Sequence, residues 1–579
     1  MDFVGLDTET IKGYARLICL SDGTVFKINS KQDVICFFED FSKQRFIAFN
    51  ADFDIQAILK YFPGKVLEKL LKGISTSYGN KQMFYIKDKF LKFGSNHIFD
   101  CMQFFHTSLN KASKKYLNKE KEKFDVTNIT EENIYSPQMI EYCIRDAKLA
   151  VELFEYFRES LPKSVKECNP YSSASYAQDY FREEIKSTLI NTGINKIFHK
   201  AYRGGRFECL KKGHFKNVFL YDINSAYPYE ICKLKNFSMK TKIKCIPKYM
   251  ENADYSVYHL KVNLDRKYIS PLIAQKGIGY VYPVGKFESW VTKGEYEILE
   301  DGEKEILYAL HIFVDKEDQN IFPFKDKMLW LYSKKKTSNN REAYKVILNG
   351  TYGKLAQVIL KWISLKRYES MLNRGKNVNV EDNYTDYEGN KYIQYVDSEK
   401  SNFLYAGEIT ARCRIKMFDV ANSKPDKIIA IATDSLISEE KLDVPLSDKI
   451  GDWHFEKWDE LYMIGCGVYF YRKKEKWFTK SRGFKNPVLL EGDFVKKRLD
   501  KILRSNLTKI PFQVTSKLTL SQARIQHTEW LANIIETGER YLDINMDKKR
   551  KWKDSWGSGK DISKFNINSK PLKLNKNIP

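Results

Sequence analysis

The 579-residue chain has few cysteines, and none of them are clustered. Its 10 cysteines lie scattered between Cys19 and Cys466 without a Cys-x-x-Cys pair, which argues against a zinc cluster and against a disulfide framework. No apolar run is long enough to span a membrane, and the opening residues, MDFVGLDTET, lack the basic and apolar regions of a secretory signal. These absences predict a soluble protein of a reducing, intracellular, cytoplasmic compartment.

Length and charge indicate a multidomain protein with an anionic partner. At about 150 residues per domain, a chain of this length is expected to form roughly three to five units. The chain carries 97 Lys and Arg residues against 74 Asp and Glu residues, which gives a net charge of +23 and a pI near 9.2. This balance favours nucleic acid as the partner, although a merely basic soluble protein would show the same charge. The motifs must therefore identify the function.

Acidic residues near the N-terminus form the first motif. The buried-strand pattern FVGL leads to Asp7 and Glu9, whose spacing of two places both carboxylates on one face. A second apolar stretch, FIAF, runs into a turn that carries Asn50, Phe53 and Asp54. Each piece alone is an ordinary strand end or helix cap, but neighbouring carboxylates of this kind invite a cation.

A helix supplies the third part of this set. Ser136-Pro137 is typical of an N-cap and a first helical residue, and Tyr142 and Asp146 then lie four residues apart on one face. The ordered trio Asp-x-Glu, Asn-x-x-Phe-Asp and Tyr-x-x-x-Asp resembles the motifs of DEDD 3′-5′ exonucleases, which have a ribonuclease H-like fold and occur in proofreading DNA polymerases. The resemblance implies two divalent metal ions on four carboxylates: Asp7, Glu9, Asp54 and Asp146. It also implies that Tyr142 orients the attacking water and that Asn50 and Phe53 contact the single-stranded 3′ end.

Two more aspartates follow later in the chain. The run VFLYD predicts a strand that ends at Asp222, and Pro228 stops the turn that follows. KIIAIA and SLIS predict a hairpin with Asp434 at its tip. If the two strands are adjacent, the carboxylates of Asp222 and Asp434 can bridge two Mg²⁺ ions, as a nucleotidyl transferase requires.

Residues 341–355 predict a helix with two different faces. Tyr344, Ile347 and Leu348 form an apolar stripe. The other face carries four polar or aromatic side chains at spacings of four, four and three: Arg341, Lys345, Asn349 and Tyr352. Taken alone, this second face could be a solvated basic surface, but its cations also suit triphosphate oxygens.

The strings YDINSAYP, KVILNGTYGK and ATDSLI resemble motifs A, B and C of family B DNA polymerases. The resemblance implies that Asp222, Asp434 and the carbonyl of Ile223 hold two Mg²⁺ ions, with Mn²⁺ as an alternative. It implies that Tyr227 excludes a 2′-hydroxyl and that the nucleotide is bound by one set of helical residues: Arg341, Lys345, Asn349 and Tyr352. Lys345 is also expected to act in catalysis by protonating the pyrophosphate as it leaves.

Smaller matches extend the resemblance to DNA contacts. Tyr202-Arg203-Gly204-Gly205 resembles a linker motif that contacts the template and couples synthesis to proofreading. Further residues resemble positions that bind template and primer: Thr410, Arg414, Tyr469 and Lys480.

Three positions depart from the family pattern. Ala432 replaces the first acid of motif C, Gly350 replaces a serine that commonly follows the motif B asparagine, and Gly467 replaces a lysine near the primer. These departures predict altered metal demand and efficiency rather than a different fold.

The resemblance implies a multidomain α/β and α+β fold, with an exonuclease domain and a right-hand polymerase domain. Three features favour the protein-primed branch, which is used by linear-genome phages, viruses and plasmids. They are the short length, the Tyr-Arg-Gly-Gly string and the stretch inserted between motifs B and C, 356–409. The expected layout is an exonuclease domain at 1–165, a helical linker at 166–200, palm with a first inserted subdomain at 201–321, fingers at 322–355, an inserted strand-displacement subdomain at 356–409, palm at 410–485, and thumb with a basic C-terminal tail at 486–579.

The expected partners are DNA template and primer, deoxynucleoside triphosphates and a terminal protein as primer, in the host cell of a virus, phage or mobile element. Two alternatives stay open. One is a self-priming polymerase of the same family, and the other is an exonuclease or DNA-binding scaffold with a decayed polymerase site.

Overall fold

The chain forms two compact units in a computed structural model. One unit comprises Met1–Arg182, Trp330–Ser401 and Ser516–Glu536, and the other comprises Glu183–Leu329, Asn402–Thr515 and Thr537–Pro579. The structure describes residues 3–121, 129–188, 190–238, 240–277, 279–338, 341–375, 378–397, 401–481, 509–543, 545, 547–553 and 566–574. Residues 482–508, which include the start of the predicted thumb and tail region (486–579), lie outside the described residues.

The first unit is built on an eight-stranded mixed sheet. Its strands are β1 (Phe3–Ile11), β2 (Tyr14–Leu20), β3 (Val25–Lys27), β4 (Arg45–Ala48), β5 (Thr76–Tyr78), β6 (Lys81–Ile86), β7 (Phe90–Phe93) and β8 (Asn96–Asp100). They lie in the order β3-β2-β1-β4-β8-β7-β6-β5, and β1, β4 and β8 run parallel. The apolar residues of FVGL and FIAF are thus the centre of the sheet.

Helices cover this sheet, and two of them carry predicted acidic site residues. They are α1 (Lys31–Asp40), α2 (Ala51–Leu59), α3 (Gly64–Leu71), α4 (Met102–Phe105), α5 (Leu109–Tyr116), α6 (Pro137–Glu159) and α7 (Ser173–Tyr180). Helix α6 begins at Pro137 with Ser136 as its N-cap, as the sequence predicts. It packs closely on β1 because Gly5 has no side chain: a Cβ there would lie 1.9 Å from the carbonyl oxygen of Ala147.

The remaining α-helices of the described residues, in chain order, are α8 (Arg182–Ser187), α9 (Thr192–Ala201), α10 (Ala226–Ile231), α11 (Lys293–Glu297), α12 (Lys325–Thr337), α13 (Arg341–Leu355), α14 (Leu365–Asn373), α15 (Phe403–Ser423) and α16 (Leu520–Ile525). Helix α13 packs on α7 within the first unit. Among the described residues, no helix is both long and apolar enough to cross a membrane.

The second unit is built on an antiparallel sheet. It contains β9 (Phe207–Cys209), β10 (Lys211–Ile223), β20 (Ile428–Ala432), β21 (Ser435–Ser438), β22 (Trp453–Gly465), β23 (Val468–Lys473) and β24 (Lys476–Ser481). The order β24-β23-β22-β10-β21-β20-β9 places β10 beside β21, so the predicted strand and hairpin are neighbours. This is the antiparallel sheet expected of a palm.

A second, five-stranded sheet lies in the same unit. Its strands are β11 (Lys242–Lys244), β12 (Tyr255–Leu264), β15 (Val284–Thr292), β16 (Lys304–Phe313) and β29 (Lys573–Leu574), in the order β11-β16-β12-β15-β29. A hairpin joins β13 (Ala274–Lys276) and β14 (Gly279–Val281), and a separate pair joins β25 (Lys509–Lys517) and β26 (Ile535–Asp543).

The described part of the C-terminal region is held by strands. β27 (Arg550–Trp552) pairs with β28 (Ile567–Pro571), which pairs with β10. The guanidinium of Arg550 donates to Glu208 Oε1 at 3.0 Å, and both side chains are 1% exposed. The predicted basic tail is therefore anchored in the palm sheet over these residues.

The predicted insertion is a small sheet with one helix. β17 (Ile359–Ser364), β19 (Lys391–Asp397) and β18 (Val380–Thr385) pair in that order, with α14 after β17. The predicted boundary at 409 falls inside α15, which begins at Phe403 because the Asn402 side chain caps it by accepting from the Tyr405 amide. The insertion therefore ends before this cap.

Candidate active sites

Three elements bring the N-terminal carboxylates together. β1 carries Asp7 and Glu9, the first turn of α2 carries Asp54, and α6 carries Asp146. The turn into α2 requires a left-handed residue, and Asn50 adopts it at φ 65°. Glu9, Asp54 and Asp146 are 7%, 4% and 5% exposed, so these acids form a buried cluster.

The electrostatics of this cluster call for a cation. Burial, together with Asp54, Glu9 and Asp146, raises the pKa of Asp7 well above its usual value. Burial and Asp146 raise the pKa of Glu9 to about 8, and burial raises the pKa of Asp54 to about 7. Because oxygen donors of this kind suit hard divalent cations, the residues fit the metal ions that the sequence implies.

Phe53 and Asn50 lie next to Asp54 at the start of α2. The amide of Asn50 donates to Asp100 Oδ1 at 3.0 Å, which fixes the turn. Asn50 is exposed and Phe53 is half-buried, so both remain accessible beside the carboxylates.

Two residues of this site carry no signal in the sequence. The Thr8 amide and hydroxyl both donate to Asp54 Oδ1, at 3.1 and 2.7 Å, and so orient that carboxylate. Lys121 pairs with Asp146, and its ammonium lies 4.9 Å from the ring centre of Tyr142. A lysine in the run KEKEK reads as surface charge, and only the fold places it here.

The second carboxylate pair lies at the edge where β10 and β21 end. Asp222 is in register with Ser435, and the Ile223 amide donates to the carbonyl of Asp434 at 2.9 Å. Thr433 takes a left-handed conformation, φ 59°, which turns the hairpin and presents Asp434. Burial raises the pKa of Asp434. The two aspartates thus occupy adjacent strand ends, as predicted.

Helix α13 presents the predicted polar face. Arg341, Lys345 and Asn349 are exposed, whereas Ile347 and Leu348 are buried. Tyr352 is half-buried on the same face, and Tyr344 is half-buried against Trp330. This helix belongs to the first unit, and the two palm aspartates belong to the second.

A family model for DNA polymerase type B, organellar and viral, matches residues 130–436. The chain belongs to this family. The DNA polymerase of Acidianus bottle-shaped virus (isolate Italy/Pozzuoli) is 25% identical over 430 residues, which are 68% of this chain and 58% of that protein. The chain thus spans less than two thirds of the length of this curated relative.

Solved structures agree with the polymerase fold. Phi29 DNA polymerase complexed with primer-template DNA and incoming nucleotides matches with a TM-score of 0.66 at 14% identity, over 94% of this chain and 99% of that one. Its orthorhombic crystal form matches with a TM-score of 0.61 at 16% identity, over 86% and 93%. The chain therefore has the fold expected of a type B polymerase, with an exonuclease-type domain and a polymerase-type domain.

The Tyr202-to-Gly205 motif of the polymerase packs against motifs A and C. A Cβ on Gly205 would lie 2.8 Å from the Tyr227 hydroxyl and 2.6 Å from Thr433 Cγ2. Burial and the nearby charge of Asp434 raise the pKa of Tyr227. Gly205 is thus required by close packing beside the predicted metal site, while Gly204 is exposed and Tyr202 is half-buried.

Thr410 and Arg414, which the resemblance assigns to DNA binding, both lie inside the fold. Thr410 is fully buried, and its hydroxyl donates to carbonyls of its own helix. Arg414 is 2% exposed, pairs with Glu295 at 2.7 Å and donates to the carbonyls of Arg203 and Gly204. The Arg414 side chain thus faces inward and supports the linker motif from beneath.

Tyr469 and Lys480 face each other across β23 and β24. Together with Ala432 and Gly467, they line a cavity of about 300 Å³ beside motif C. Lys480 is exposed and Tyr469 is half-buried. Burial, Tyr471 and Asp222 raise the pKa of Tyr469 to about 12. Two of the departures from the family pattern thus border the same open space.

The third departure has a packing cause. A Cβ on Gly350 would lie 3.0 Å from Ala177 Cβ and 3.1 Å from the Ser173 carbonyl oxygen. Glycine therefore allows α13 to lie directly against α7, and a serine would not fit without a shift. The sequence pattern alone did not reveal this constraint.

Proposed function

We propose that this type B polymerase is a DNA-templated DNA polymerase with 3′-5′ proofreading, in which each activity uses its own pair of divalent metal ions. The observation that carries the proposal is the pair of separate carboxylate sets, one on the mixed sheet and one on the palm sheet. Each set contains acids whose pKa is raised by burial, which is expected where a cation normally balances them.

In the polymerase site, Asp222, Asp434 and the Ile223 carbonyl would hold the ions. Bound ions would lower the pKa of the primer 3′-hydroxyl and neutralise charge on the phosphates. The carboxylates sit on paired strand ends, so the sheet fixes their separation before substrate binds. Mg²⁺ fits an all-oxygen donor set, and Mn²⁺ fits it as well.

Other residues of the chain bind and select the nucleotide. Arg341 and Lys345 offer exposed cations to triphosphate oxygens, and Asn349 and Tyr352 lie on the same face of α13. Lys345 would also protonate the leaving pyrophosphate. Tyr227 is held against Gly205, which gives its ring a fixed position from which to exclude a 2′-hydroxyl.

In the exonuclease site, a set of four acids would hold two ions: Asp7, Glu9, Asp54 and Asp146. Tyr142 would orient the attacking water, and Lys121 holds both Tyr142 and Asp146 in place. Asn50 and Phe53 would contact the single-stranded 3′ end.

Replication primed by a separate terminal protein is part of the same proposal. It is supported by the fold shared with phi29 DNA polymerase and by the small sheet inserted between α13 and α15. The DNA partners follow from the phi29 complexes, which contain primer-template DNA and nucleotides. The expected setting is the host cell of a virus, as for the Acidianus relative.

A gel assay of a 5′-labelled primer on a longer template tests the proposal. Wild type should extend the primer with Mg²⁺ and nucleotides and shorten it without nucleotides. Asp434→Ala should lose extension only, and Asp7→Ala should lose shortening only. If both variants lose both activities, the two-site assignment is wrong. Product formed on template with neither primer nor protein would favour self-priming.

A second function is favoured by one observation. Ala432 and Gly467 leave an open cavity beside motif C, where the family pattern has an acid and a lysine. If the polymerase site has lost its activity, the protein would act as an exonuclease alone. Shortening of the primer with and without nucleotides, and with no extension in Mg²⁺ or Mn²⁺, would support this alternative.

A further inference from the structure

The segment Ser516–Glu536, which lies within the predicted thumb and tail region (486–579), belongs to the first unit. Leu520, Ala523 and Ala532 are at most 1% exposed and join the core beneath the mixed sheet. The Leu520 amide donates to Gln56 Oε1 at 2.8 Å. The segment is therefore an integral part of the exonuclease-type domain.

Polar contacts fix the segment next to the start of α2. Asn533 Nδ2 donates to the carbonyl of Phe53 at 3.3 Å. Lys60 Nζ donates to the carbonyls of Lys12 and Ala532, both at 2.9 Å. These anchors hold the segment that follows Lys517 against the carboxylate-bearing turn.

Lys517 stands at the end of β25 with its ammonium 4.7 Å from the ring centre of Phe53. Its Nζ is buried and has no hydrogen-bond partner among the described residues. Burial lowers its pKa, whereas the charges of Asp52, Asp54 and Asp88 raise it. A buried ammonium without a hydrogen-bond acceptor is costly, and an acceptor that arrives with a substrate would remove this cost.

We propose that Lys517 binds a backbone phosphate of the strand being degraded and is thus a substrate-binding residue of the exonuclease centre. A phosphate of the 3′-terminal strand supplies the hydrogen-bond acceptor that Nζ lacks among the described residues. Phe53, predicted to contact the terminal nucleotide, lies directly under this ammonium. The inference rests on the proposed exonuclease function, because the phosphate must enter the carboxylate site.

The test compares Lys517→Gln and Lys517→Arg with Lys60→Met in steady-state degradation of a labelled single-stranded oligonucleotide. Lys60 is a matched buried lysine that anchors the same segment without facing the carboxylates. We expect Lys517→Gln to raise KM at least tenfold with a smaller change in kcat, and Lys517→Arg to restore most of the affinity. Lys60→Met should lower Tm and leave KM unchanged. If Lys60→Met raises KM as much as Lys517→Gln does, then Lys517 only holds the segment in place, and the proposal is overturned.

A neutral linkage separates a phosphate contact from other roles. A methylphosphonate placed near the 3′ end should raise KM for wild type and leave KM for Lys517→Gln nearly unchanged, because the charged partner is already missing. An equal penalty in both proteins would overturn the proposal. Asp7→Ala distinguishes the two levels of inference: if it degrades DNA normally, the exonuclease assignment itself fails, whereas its inactivity beside an unaffected Lys517→Gln refutes only the lysine contact.

Discussion

At the residue scale, burial in the metal-free fold favours the protonated form of the exonuclease-type carboxylates. The pKa of Glu9 rises to about 8 and that of Asp54 to about 7, mainly because of burial. A folded-state pKa above the unfolded value means that the native state binds extra protons between the two values. Stability without metal should therefore be greatest below the unfolded pKa and fall as the pH rises toward the folded pKa.

This gives a prediction for melting temperature. In EDTA, Tm of wild type should fall between about pH 5 and pH 8, and excess Mn²⁺ should restore most of the loss at pH 8 because it neutralises the ionised cluster. Glu9→Gln should show a smaller pH dependence, since it removes a group whose pKa is raised to about 8. Scanning calorimetry at several pH values measures the effect. An equal slope in wild type and Glu9→Gln would contradict this account.

Lys121 gives a second prediction at this scale. Lys121→Met should lower 3′-5′ degradation by roughly tenfold or more, because Tyr142 and Asp146 lose the group that positions them. Primer extension should be unchanged. Lys114 of α5 is the matched control, since it makes an exposed pair with Glu120. Equal degradation rates for the Lys121→Met and Lys114→Met variants would rule out a positioning role.

At the element scale, the sequence predicted the strands and helices that carry acids because spacing fixes which residues share a face. Asp7 with Glu9, and Tyr142 with Asp146, follow directly from periods of two and about four. Thr8 and Lys121 follow from no period, since their partners lie 46 and 25 residues away. The inward orientation of Arg414 was also hidden, because it depends on Glu295 from a separate strand-helix unit.

The contact of α13 with α7 yields a prediction with an internal control. Gly350→Ser should destabilise the protein by about 1–3 kcal/mol, because the new Cβ meets Ala177 and the Ser173 carbonyl. Gly353→Ala on the same helix has nothing within 4 Å and should stabilise it by about 0.5–1 kcal/mol. Thermal or urea unfolding measures both. The two changes in the free energy of unfolding should have opposite signs. If both substitutions stabilise the protein, α13 and α7 can move apart to accept the new side chain.

Arg414 provides a prediction about the palm helix α15. Arg414→Ala should cost about 3–5 kcal/mol, because it strands the buried Glu295 carboxylate and frees two backbone carbonyls of the linker motif. Arg266→Ala, which removes a partly exposed arginine paired with Glu300 and Glu303, should cost about 1 kcal/mol or less. Urea unfolding compares the two. Similar losses would mean that burial of the Arg414 pair adds nothing to stability.

At the scale of the whole molecule, residues distant in sequence complete the first unit. The segment Ser516–Glu536 and the insertion both belong to the exonuclease-type unit, although the sequence places them in thumb and polymerase regions. Such docking depends on contacts between residues hundreds of positions apart, which no local pattern encodes. Core residues of the segment, such as Leu520, read as ordinary helix residues until the fold places them against α2.

The insertion is attached to the exonuclease-type domain by one buried ion pair. Lys69 of α3 lies 2.7 Å from Asp386, with side-chain exposures of 15% and 2%. Burial raises the pKa of Asp386, but hydrogen bonds from Lys69 and Asn390 outweigh it and hold the pKa well below its usual value. The attachment is therefore complete above the unfolded pKa of the acid and is lost only as the pH falls toward the folded value.

Lys69→Met should release the insertion while the rest of the unit stays folded. Asp386 keeps its turn, since it still accepts from the amides of Glu388 and Asn390, but its buried charge loses its cation. We expect limited proteolysis within 359–397 to accelerate by about tenfold or more, which corresponds to at least about 1.4 kcal/mol of docking free energy. Lys65→Met, which removes an exposed partner of Glu388, should leave the cleavage rate unchanged. Equal rates in all three proteins would mean that the apolar and cation-π contacts of Lys72 with Trp362 and Tyr384 hold the insertion without the ion pair.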